Sequence, residues 1–177
     1  ALIYYKGIIE ENTRTAIRTA GSASRLWPHV KSHKSMDVIR LQRALGITRY
    51  KCATLAEAQA AAGAGAEHVL LAYPLVGPNI EGFLALAQAC PDISFYALED
   101  DPLQLTLLSR RSADAGLVSR LFLDVNTGMD RTGMAFGDIL PFARQAASLP
   151  GIRLCGLHVY DGDRHEKIYA EREEKVR

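Results

Sequence analysis

Apolar residues along this chain fall in short runs that alternate with longer amphipathic segments. Short apolar runs are typical of strands, whereas apolar residues spaced three and four apart are typical of helices. The runs predict strands at residues 2–5, 24–31, 49–53, 68–73, 94–99, 120–126 and 153–160. The intervening segments predict helices, and this alternation indicates a parallel sheet with helical crossovers.

Several predicted helices carry their own start and stop signals. Thr54 and Glu57 form a capping-box pattern, which predicts a helix from there to Ala62, broken by Gly63. The remaining helices are predicted at residues 8–20, 36–46, 80–90, 102–116 and 138–149, with a charged helical run at 166–177.

Two α/β architectures fit this order, a doubly wound sheet and a (β/α)8 barrel, and periodicity alone does not separate them. No predicted strand is followed by GxGxxG, and GxxxxGK[ST] does not occur, which weakens the nucleotide-binding doubly wound alternative. In a barrel, two strands would lie outside this chain. Because it opens at Ala1 in a predicted strand and ends in a charged helical run, we expect a fragment of a longer protein.

The composition favours one globular domain that binds a small molecule. The chain of 177 residues is 48% hydrophobic, and its 21 Lys and Arg balance 20 Asp and Glu. That balance gives no electrostatic case for nucleic acid or an anionic membrane as the main partner. Three cysteines without CxxC spacing indicate neither a disulfide framework nor a zinc ribbon, so we expect a reducing, cytoplasmic setting.

Polar side chains gather at the carboxyl ends of three predicted strands, on one face of each, since side chains alternate across a strand. Those faces hold Trp27, His29 and Lys31; Phe122, Asp124 and Asn126; and Leu154, Gly156, His158 and Tyr160. A lysine at a strand end is often merely solvated, and an Asp or Asn there often serves a turn. Three such ends in one chain nevertheless favour a site, because active sites of parallel α/β folds lie at the carboxyl ends of the strands.

A lysine among histidines suggests amine chemistry. Desolvation and neighbouring positive charge disfavour the ammonium form, and the resulting nucleophilic amine can attack a substrate carbonyl or pyridoxal phosphate. Zinc binding by His29 and His33 is the competing interpretation. Their spacing of four would need a helix to bring both onto one face, whereas His29 falls on a predicted strand, so metal ligation is not favoured.

Five segments in order resemble the D-threonine aldolase and D-serine dehydratase-like family: PHVKSHKS, KCATLAEA, LLAYPLVGP, LDVNTGMDRTGM and GLHVYDG. Members of that family are pyridoxal-phosphate enzymes with a barrel of the alanine-racemase N-terminal type. The resemblance covers nearly the whole chain and implies that residues 1–177 are a partial (β/α)8 barrel domain with about six of the eight strands. It also implies a C-terminal β domain outside this chain.

The resemblance assigns roles to particular residues. It implies that Lys31 is the catalytic lysine that binds pyridoxal 5'-phosphate covalently, with Lys34 as an accessory residue. The other implied cofactor-binding residues are His29 beneath Lys31, Arg131 near the phenolic oxygen or the ring, and His158 and Tyr160 along the ring and its nitrogen side. No metal ligand is implied within this chain, since the family's divalent ion, Mn or Zn, is bound by the missing β domain.

Two residues depart from the family pattern. Trp27 stands where an arginine usually precedes PH, and Asp163 stands where a histidine is common, which leaves His165 as the nearest imidazole.

The activity implied is that of a lyase on D-3-hydroxy amino acids, with retro-aldol cleavage to glycine and an aldehyde as the leading expectation. D-serine dehydration to pyruvate and ammonia, racemisation, and cofactor carriage without turnover remain alternatives. The expected partners are a D-amino acid substrate and a second copy of the full-length chain as a homodimer, with neither nucleic acid nor membrane. The fragment alone is expected to bind cofactor weakly and to have little activity.

Overall fold

A computed structural model describes residues 3–176, with side chains to residue 174, as one curved sheet covered by helices on one face. The described elements, in chain order, are α1 (Lys6–Ala20), α2 (Met36–Ala44), β1 (Arg49–Cys52), α3 (Leu55–Gly63), β2 (His68–Pro74), α4 (Pro78–Ala89), β3 (Ser94–Glu99), α5 (Pro102–Asp114), β4 (Ser119–Val125), α6 (Ile139–Ser148), β5 (Ile152–Val159) and α7 (Tyr169–Val176).

The five strands of the described chain are all parallel and lie in sequential order, β1 to β5. This confirms the α/β barrel-type expectation, because a doubly wound sheet reverses its strand order at a switch point whereas a barrel wall does not. In a flat sheet, β1 and β5 would lie about 19 Å apart, four strand spacings. The side chains of Lys51 on β1 and His158 on β5 instead meet at 2.6 Å, so the sheet curves strongly toward its inner face.

The main hydrophobic core lies between the outer face of the sheet and the helices. Val69, Ala97 and Leu123 from three strands pack there against helical residues such as Phe83 and Leu105. A smaller cluster on the inner face joins Leu70, Ala72 and Leu98 to the partly buried rings of Trp27, Tyr96 and Phe122. For β4, the apolar and polar faces predicted from parity therefore correspond to the helix-facing and inward-facing sides.

Local signals set the helix starts as predicted, although α3 continues one residue past the predicted end at Ala62, through Gly63. Thr54 Oγ1 accepts the Glu57 backbone N–H at 3.2 Å, and the Glu57 carboxylate accepts the Ala53 N–H at 2.8 Å. Gly46, with φ of 94°, follows α2 in a left-handed conformation that favours glycine. The charged run near the end is helical in α7, and Arg177 lies outside the described residues.

Two predicted strands are wrong. Residues 24–31 form two short 3₁₀ turns, Ala23–Arg25 and Val30–Ser32, joined by an extended segment. The backbone of that segment pairs with β1 through the His29–Lys51 bridge and the Lys51 N–H bond to Pro28 O at 2.9 Å. Pro28 has no N–H to extend the ladder. Residues 3–5 are not a strand either, and Leu2 lies outside the described residues.

Strand β5 contains an irregularity that changes one predicted face. Leu121 pairs with Leu154, but the next residue, Phe122, pairs with Gly156. The extra residue, Cys155, shifts the alternation, so Leu154 packs in the helix-facing core while His158 stays on the inner face. The prediction that Leu154 shares a face with His158 is therefore wrong.

Within the described residues, no helix combines the length and the apolar character needed to cross a membrane.

Candidate active site

Three cationic side chains converge on one aromatic ring at the carboxyl edge of the sheet. Tyr160 directly follows β5, and its ring centroid lies 5.9 Å from Lys31 Nζ, 5.5 Å from Lys51 Nζ and 5.3 Å from the guanidinium carbon of Arg131. Cations placed over an aromatic face are attracted by its quadrupole. The structure thus brings together Lys31, Arg131 and Tyr160, three of the residues predicted from the sequence.

On the inner face of the sheet, below Tyr160, three side chains are linked by hydrogen bonds in series: Asp124, His158 and Lys51. Asp124 and His158 are register partners on β4 and β5, and Asp124 Oδ1 lies 2.6 Å from His158 Nδ1. His158 Nε2 lies 2.6 Å from Lys51 Nζ, across the concave face of the sheet. The side chains of His158 and Asp124 are only 9% and 5% exposed, so their hydrogen bond is largely shielded from water.

The ionisation of Asp124 fixes the tautomer of His158. Burial by itself would raise the pKa of the Asp124 carboxyl, but hydrogen bonds from His158 and Thr132 outweigh it and hold the pKa below its usual value. An ionised carboxylate only accepts hydrogen bonds, so His158 Nδ1 carries the hydrogen. In the neutral imidazole, Nε2 is then the acceptor, and Lys51 donates to it.

Lys51 has an environment that disfavours its charged form. Burial lowers the pKa of its amine, the positive charges of Lys31 and Arg131 lower it further, and Asp124 counteracts only part of this.

The segment that carries Lys31 is held by His29. The His29 imidazole accepts the backbone N–H of Lys31 at Nδ1, at 3.2 Å, and caps the 3₁₀ turn there. Burial lowers the pKa of His29 to about 4, and the charges of Lys31 and Lys51 add to the effect, so its ring is neutral at physiological pH. His29 therefore supports the backbone of Lys31.

Lys34 and His33 lie away from this cluster. Lys34 Nζ lies 3.6 Å from the buried carboxylate of Glu57, and His33 Nδ1 accepts the Ser35 N–H at 3.0 Å. Within the described residues, no group of three or more His, Cys, Asp or Glu side chains is arranged to hold a metal ion.

Arg131 sits in a tight loop after β4. Asn126 Oδ1 accepts the N–H groups of Gly128 and Asp130, so this strand-end amide serves the turn. The loop returns to the sheet at Gly133, where a Cβ would lie 2.5 Å from the backbone nitrogen of Asn126, and only glycine allows that approach. The Gly133 N–H also donates to the carboxylate of Asp100 at 2.6 Å.

Trp27, the departure from the family pattern, packs at the other end of the inner face. Its ring makes edge contacts with Tyr96 and His68, at centroid distances of 5.6 and 6.2 Å. The guanidinium of Arg49 on β1 lies 5.6 Å from its centroid. A positive charge therefore adjoins this position from the neighbouring strand. Asp163, the second departure, pairs with Arg164 at 3.3 Å.

Sequence reasoning missed Lys51 as a site residue. Tyr50 and Cys52 are fully buried, whereas Arg49 and Lys51 are partly exposed on the opposite face. The alternation R-Y-K-C carried this signal, because an apolar outer face implies an inward lysine. Asp124 was assigned to the correct face, but its partnership with His158 depends on the strand register, which the sequence does not reveal.

The parallel strands form part of an α/β barrel, and lysine amines lie on its inner face at the carboxyl ends of the strands. These two features define the class of this protein as an α/β-barrel protein whose candidate site contains lysine amines. Comparison with known families narrows this class, because residues 7–175 match the alanine racemase N-terminal domain. The chain belongs to this family.

Relatives agree with that assignment. The chain is 30% identical over 154 residues to a D-threonine aldolase of Arthrobacter sp, covering 86% of this chain and 40% of that protein. It is 27% identical over 152 residues to a 3-hydroxy-D-aspartate aldolase of Paracoccus denitrificans, covering 84% and 39%. The crystal structure of a D-threonine aldolase from Filomicrobium marinum superimposes with a TM-score of 0.88 at 32% identity, covering 99% of this chain and 48% of that one. The chain thus spans less than half the length of these relatives.

Proposed function

We propose that this chain is part of the pyridoxal-phosphate-binding barrel of a lyase that cleaves D-3-hydroxy amino acids by a retro-aldol reaction. The observation that carries the proposal is the convergence of Lys31, Arg131 and Lys51 on the ring of Tyr160 at the carboxyl edge of the sheet. The proposal includes the family's C-terminal β domain, a divalent metal ion bound there, and a homodimer of the full-length protein.

The residues at this edge fit the chemistry of pyridoxal phosphate. Lys31 offers a primary amine for its aldehyde, and Tyr160 offers an aromatic surface for its flat ring. Arg131, 5.3 Å from the Tyr160 centroid, offers a charged donor for the phenolic oxygen. The excess of positive charge suits an anionic cofactor. Lys31 would hold the group covalently, with Tyr160 and Arg131 against its ring.

When bound, pyridoxal phosphate supplies an electron sink for the carbanion that forms at Cα. Side chains of this protein bind protons and stabilise charge around the reacting groups. Asp124 holds His158 in the Nδ1–H tautomer, which leaves Nε2 as a proton acceptor toward the interior of the site. Lys31 and Lys51 provide amines that gain or lose protons, and Arg131 stabilises negative charge beside Tyr160.

Relatives support retro-aldol cleavage over the other outcomes. The D-threonine aldolases of Arthrobacter and Filomicrobium marinum and the 3-hydroxy-D-aspartate aldolase of Paracoccus are 27–32% identical to this chain, and all three are named aldolases. A retro-aldol reaction on D-threonine yields glycine and acetaldehyde. D-serine dehydration, racemisation and cofactor carriage without turnover are the competing outcomes of the test.

The test uses the full-length protein incubated with pyridoxal phosphate. We expect a visible absorbance band, and borohydride reduction followed by peptide mass spectrometry should place the label on Lys31. Absence of the band, or a label confined to exposed lysines such as Lys6, would overturn cofactor binding at this site.

The substrate test measures products with D-threonine and D-serine, with and without Mn²⁺ or Zn²⁺. Release of glycine and acetaldehyde from D-threonine is the expected result. Pyruvate and ammonia from D-serine would indicate the dehydratase, an L-amino acid product would indicate the racemase, and no product from either substrate would favour the carrier.

A further inference from the structure

The amines of Lys51 and Lys31 lie at similar distances from the Tyr160 ring, and the proposed function gives Lys51 no role in binding the cofactor. Its Nζ lies 5.5 Å from the Tyr160 centroid, and Lys31 Nζ lies 5.9 Å from the same centroid. The two amines approach from different elements, since Lys51 is on β1 and Lys31 is in the 3₁₀ turn before α2. A planar aldehyde resting on the Tyr160 ring would be within reach of both.

We propose that Lys51 is a second aldehyde-reactive lysine of this site, held ready for reaction by its hydrogen bond to His158. The inference rests on the proposed function, since it takes the carboxyl edge to be a place where aldehydes bind.

The contact with His158 gives the Lys51 amine a route for its proton. His158 Nε2 is 2.6 Å from Nζ and accepts, because Nδ1 donates to Asp124. An ammonium group can therefore pass a proton to Nε2, which frees the nitrogen lone pair. The buried carboxylate of Asp124 stabilises the imidazolium that this transfer creates.

The covalent step is an ordinary condensation. The neutral Nζ attacks the aldehyde carbon to form a C–N bond, the carbonyl oxygen takes up two protons, and water leaves as the C=N double bond forms. Both protons come from the nitrogen, one of them by way of His158. The step needs no oxidant, reductant or further reactant.

The charged surroundings of Lys51 favour this chemistry. Lys31 and Arg131 share the ring of Tyr160 with it, and Asp124 is the acidic group that faces it through His158. Two cations against one carboxylate disfavour a third positive charge, in accordance with the lowered pKa of this amine. By contrast Lys34 faces the Glu57 carboxylate, and Lys6 has a side chain that is 72% exposed and lies near Glu10.

Two aldehydes could supply the carbonyl in the full-length protein. One is the cofactor's own aldehyde, and the other is the aldehyde that retro-aldol cleavage releases. They share the same reactive group, so the experiment uses each separately, with pyridoxal phosphate and acetaldehyde as the probes.

The test follows lysine labelling in the full-length protein, which requires no activity. In Lys31→Ala, pyridoxal phosphate followed by borohydride should label Lys51 several-fold more than Lys6. The matched double variant Lys31→Ala/Lys34→Met should keep that label, whereas Lys31→Ala/Lys51→Met should lose it. Adding His158→Gln to Lys31→Ala should slow labelling of Lys51, a change that a purely structural lysine would not show.

The acetaldehyde arm uses the wild-type protein with cyanoborohydride and no cofactor, so it does not depend on the folding of any variant. Lys51 should be alkylated faster than Lys6. Labelling of Lys51 above the level of Lys6 by either aldehyde supports the inference. The aldehyde that produces this labelling identifies which of the two carbonyl compounds Lys51 reacts with.

If wild-type Lys31 is labelled while Lys51 never exceeds Lys6 in either arm, the inference is overturned and the proposed function stands. If pyridoxal phosphate labels neither Lys31 nor Lys51, while acetaldehyde still favours Lys51, the cofactor proposal fails and the reactive lysine stands.

Discussion

Asp124 and Glu99 are buried carboxyl groups on neighbouring strands of one sheet, and their pKa values are shifted in opposite directions. Asp124, near the carboxyl end of β4, is 3% exposed, and Glu99, the last residue of β3, is 0% exposed. Asp124 faces inward and is hydrogen-bonded to His158. Within the described residues, neither carboxyl oxygen of Glu99 makes a well-formed hydrogen bond, and the backbone N–H of Leu75 offsets only a small part of the effect of burial. Burial and the charges of Asp100 and Asp101 raise its pKa to about 9.

The difference shows that the face of the sheet on which a buried carboxyl group lies determines whether that group is ionised. Glu99 alternates with Phe95 and Ala97, which lie in the helix-facing core, so its carboxyl is surrounded by apolar groups and retains its proton at neutral pH. Asp124 points to the concave side, where basic residues from β1 and β5 reach it. Of these two buried carboxyl groups on the sheet, the one on the concave face therefore has partners for its ionised form, whereas the one on the helix-facing side does not.

The largest expected effect comes from removing the partnered carboxylate. Asp124→Ala leaves the His158 Nδ1–H without its acceptor, next to Lys51, and breaking such a buried pair costs about 3 kcal/mol. Urea unfolding at neutral pH should show a free energy of unfolding reduced by that amount. Asp92→Ala, at an exposed aspartate, is the control and should change it by less than about 0.5 kcal/mol. Equal stabilities of the two variants would refute the role assigned to Asp124.

The buried carboxyl group of Glu99 should make the free energy of unfolding depend on pH. Its folded-state pKa is raised, so Glu99 keeps a proton that the unfolded chain releases, and stability falls as pH rises from about 4.5 toward 9. Glu99→Gln removes this dependence. We expect the variant to match the wild type at pH 5 and to exceed it by about 2 kcal/mol at pH 6.5.

Denaturant midpoints measured across that pH range provide the check. Parallel curves for wild type and Glu99→Gln would show that Glu99 is ionised in the folded state or has a partner, and the contrast with Asp124 would disappear.

The smallest effect is expected at a third buried carboxyl. Glu57, 5% exposed, accepts the Ala53 N–H and pairs with Lys34, whose side chain is 67% exposed. Because the backbone donor remains, Lys34→Met should lower the free energy of unfolding by less than about 1 kcal/mol. The loss should shrink in 1 M salt, where about 3 Å of screening length remains. A loss as large as that of Asp124→Ala would mean that the lysine, rather than the amide, holds this carboxylate.

Much of the barrel wall could be predicted from the sequence, because alternation and helix signals act locally. Thr54 and Glu57 marked the start of α3, and the apolar outer face of β4 identified which side packs against helices. The family resemblance indicated Lys31, Arg131, His158 and Tyr160, and the structure gathers all four near the carboxyl edge.

Long-range features could not be predicted in the same way. The segment before Lys31 looks like a strand, but Pro28 lacks a donor and only one bridge forms. Cys155 is an extra residue in the ladder, which the sequence does not mark, and it moves Leu154 to the other face. Lys51 and His158 are 107 residues apart in the sequence, and they meet because the sheet curves. No local sequence pattern predicts that curvature.

Trp27 is the only tryptophan in this sequence, and its position makes it a built-in optical probe. Its indole contacts Tyr96 and His68 on two different strands and lies beside the Arg49 guanidinium. Undocking of the segment that carries Lys31 would move the indole from a partly buried ring cluster into water. Fluorescence emission should therefore shift to the red when that segment detaches, and it reports the position of the Lys31 segment without any label or substrate.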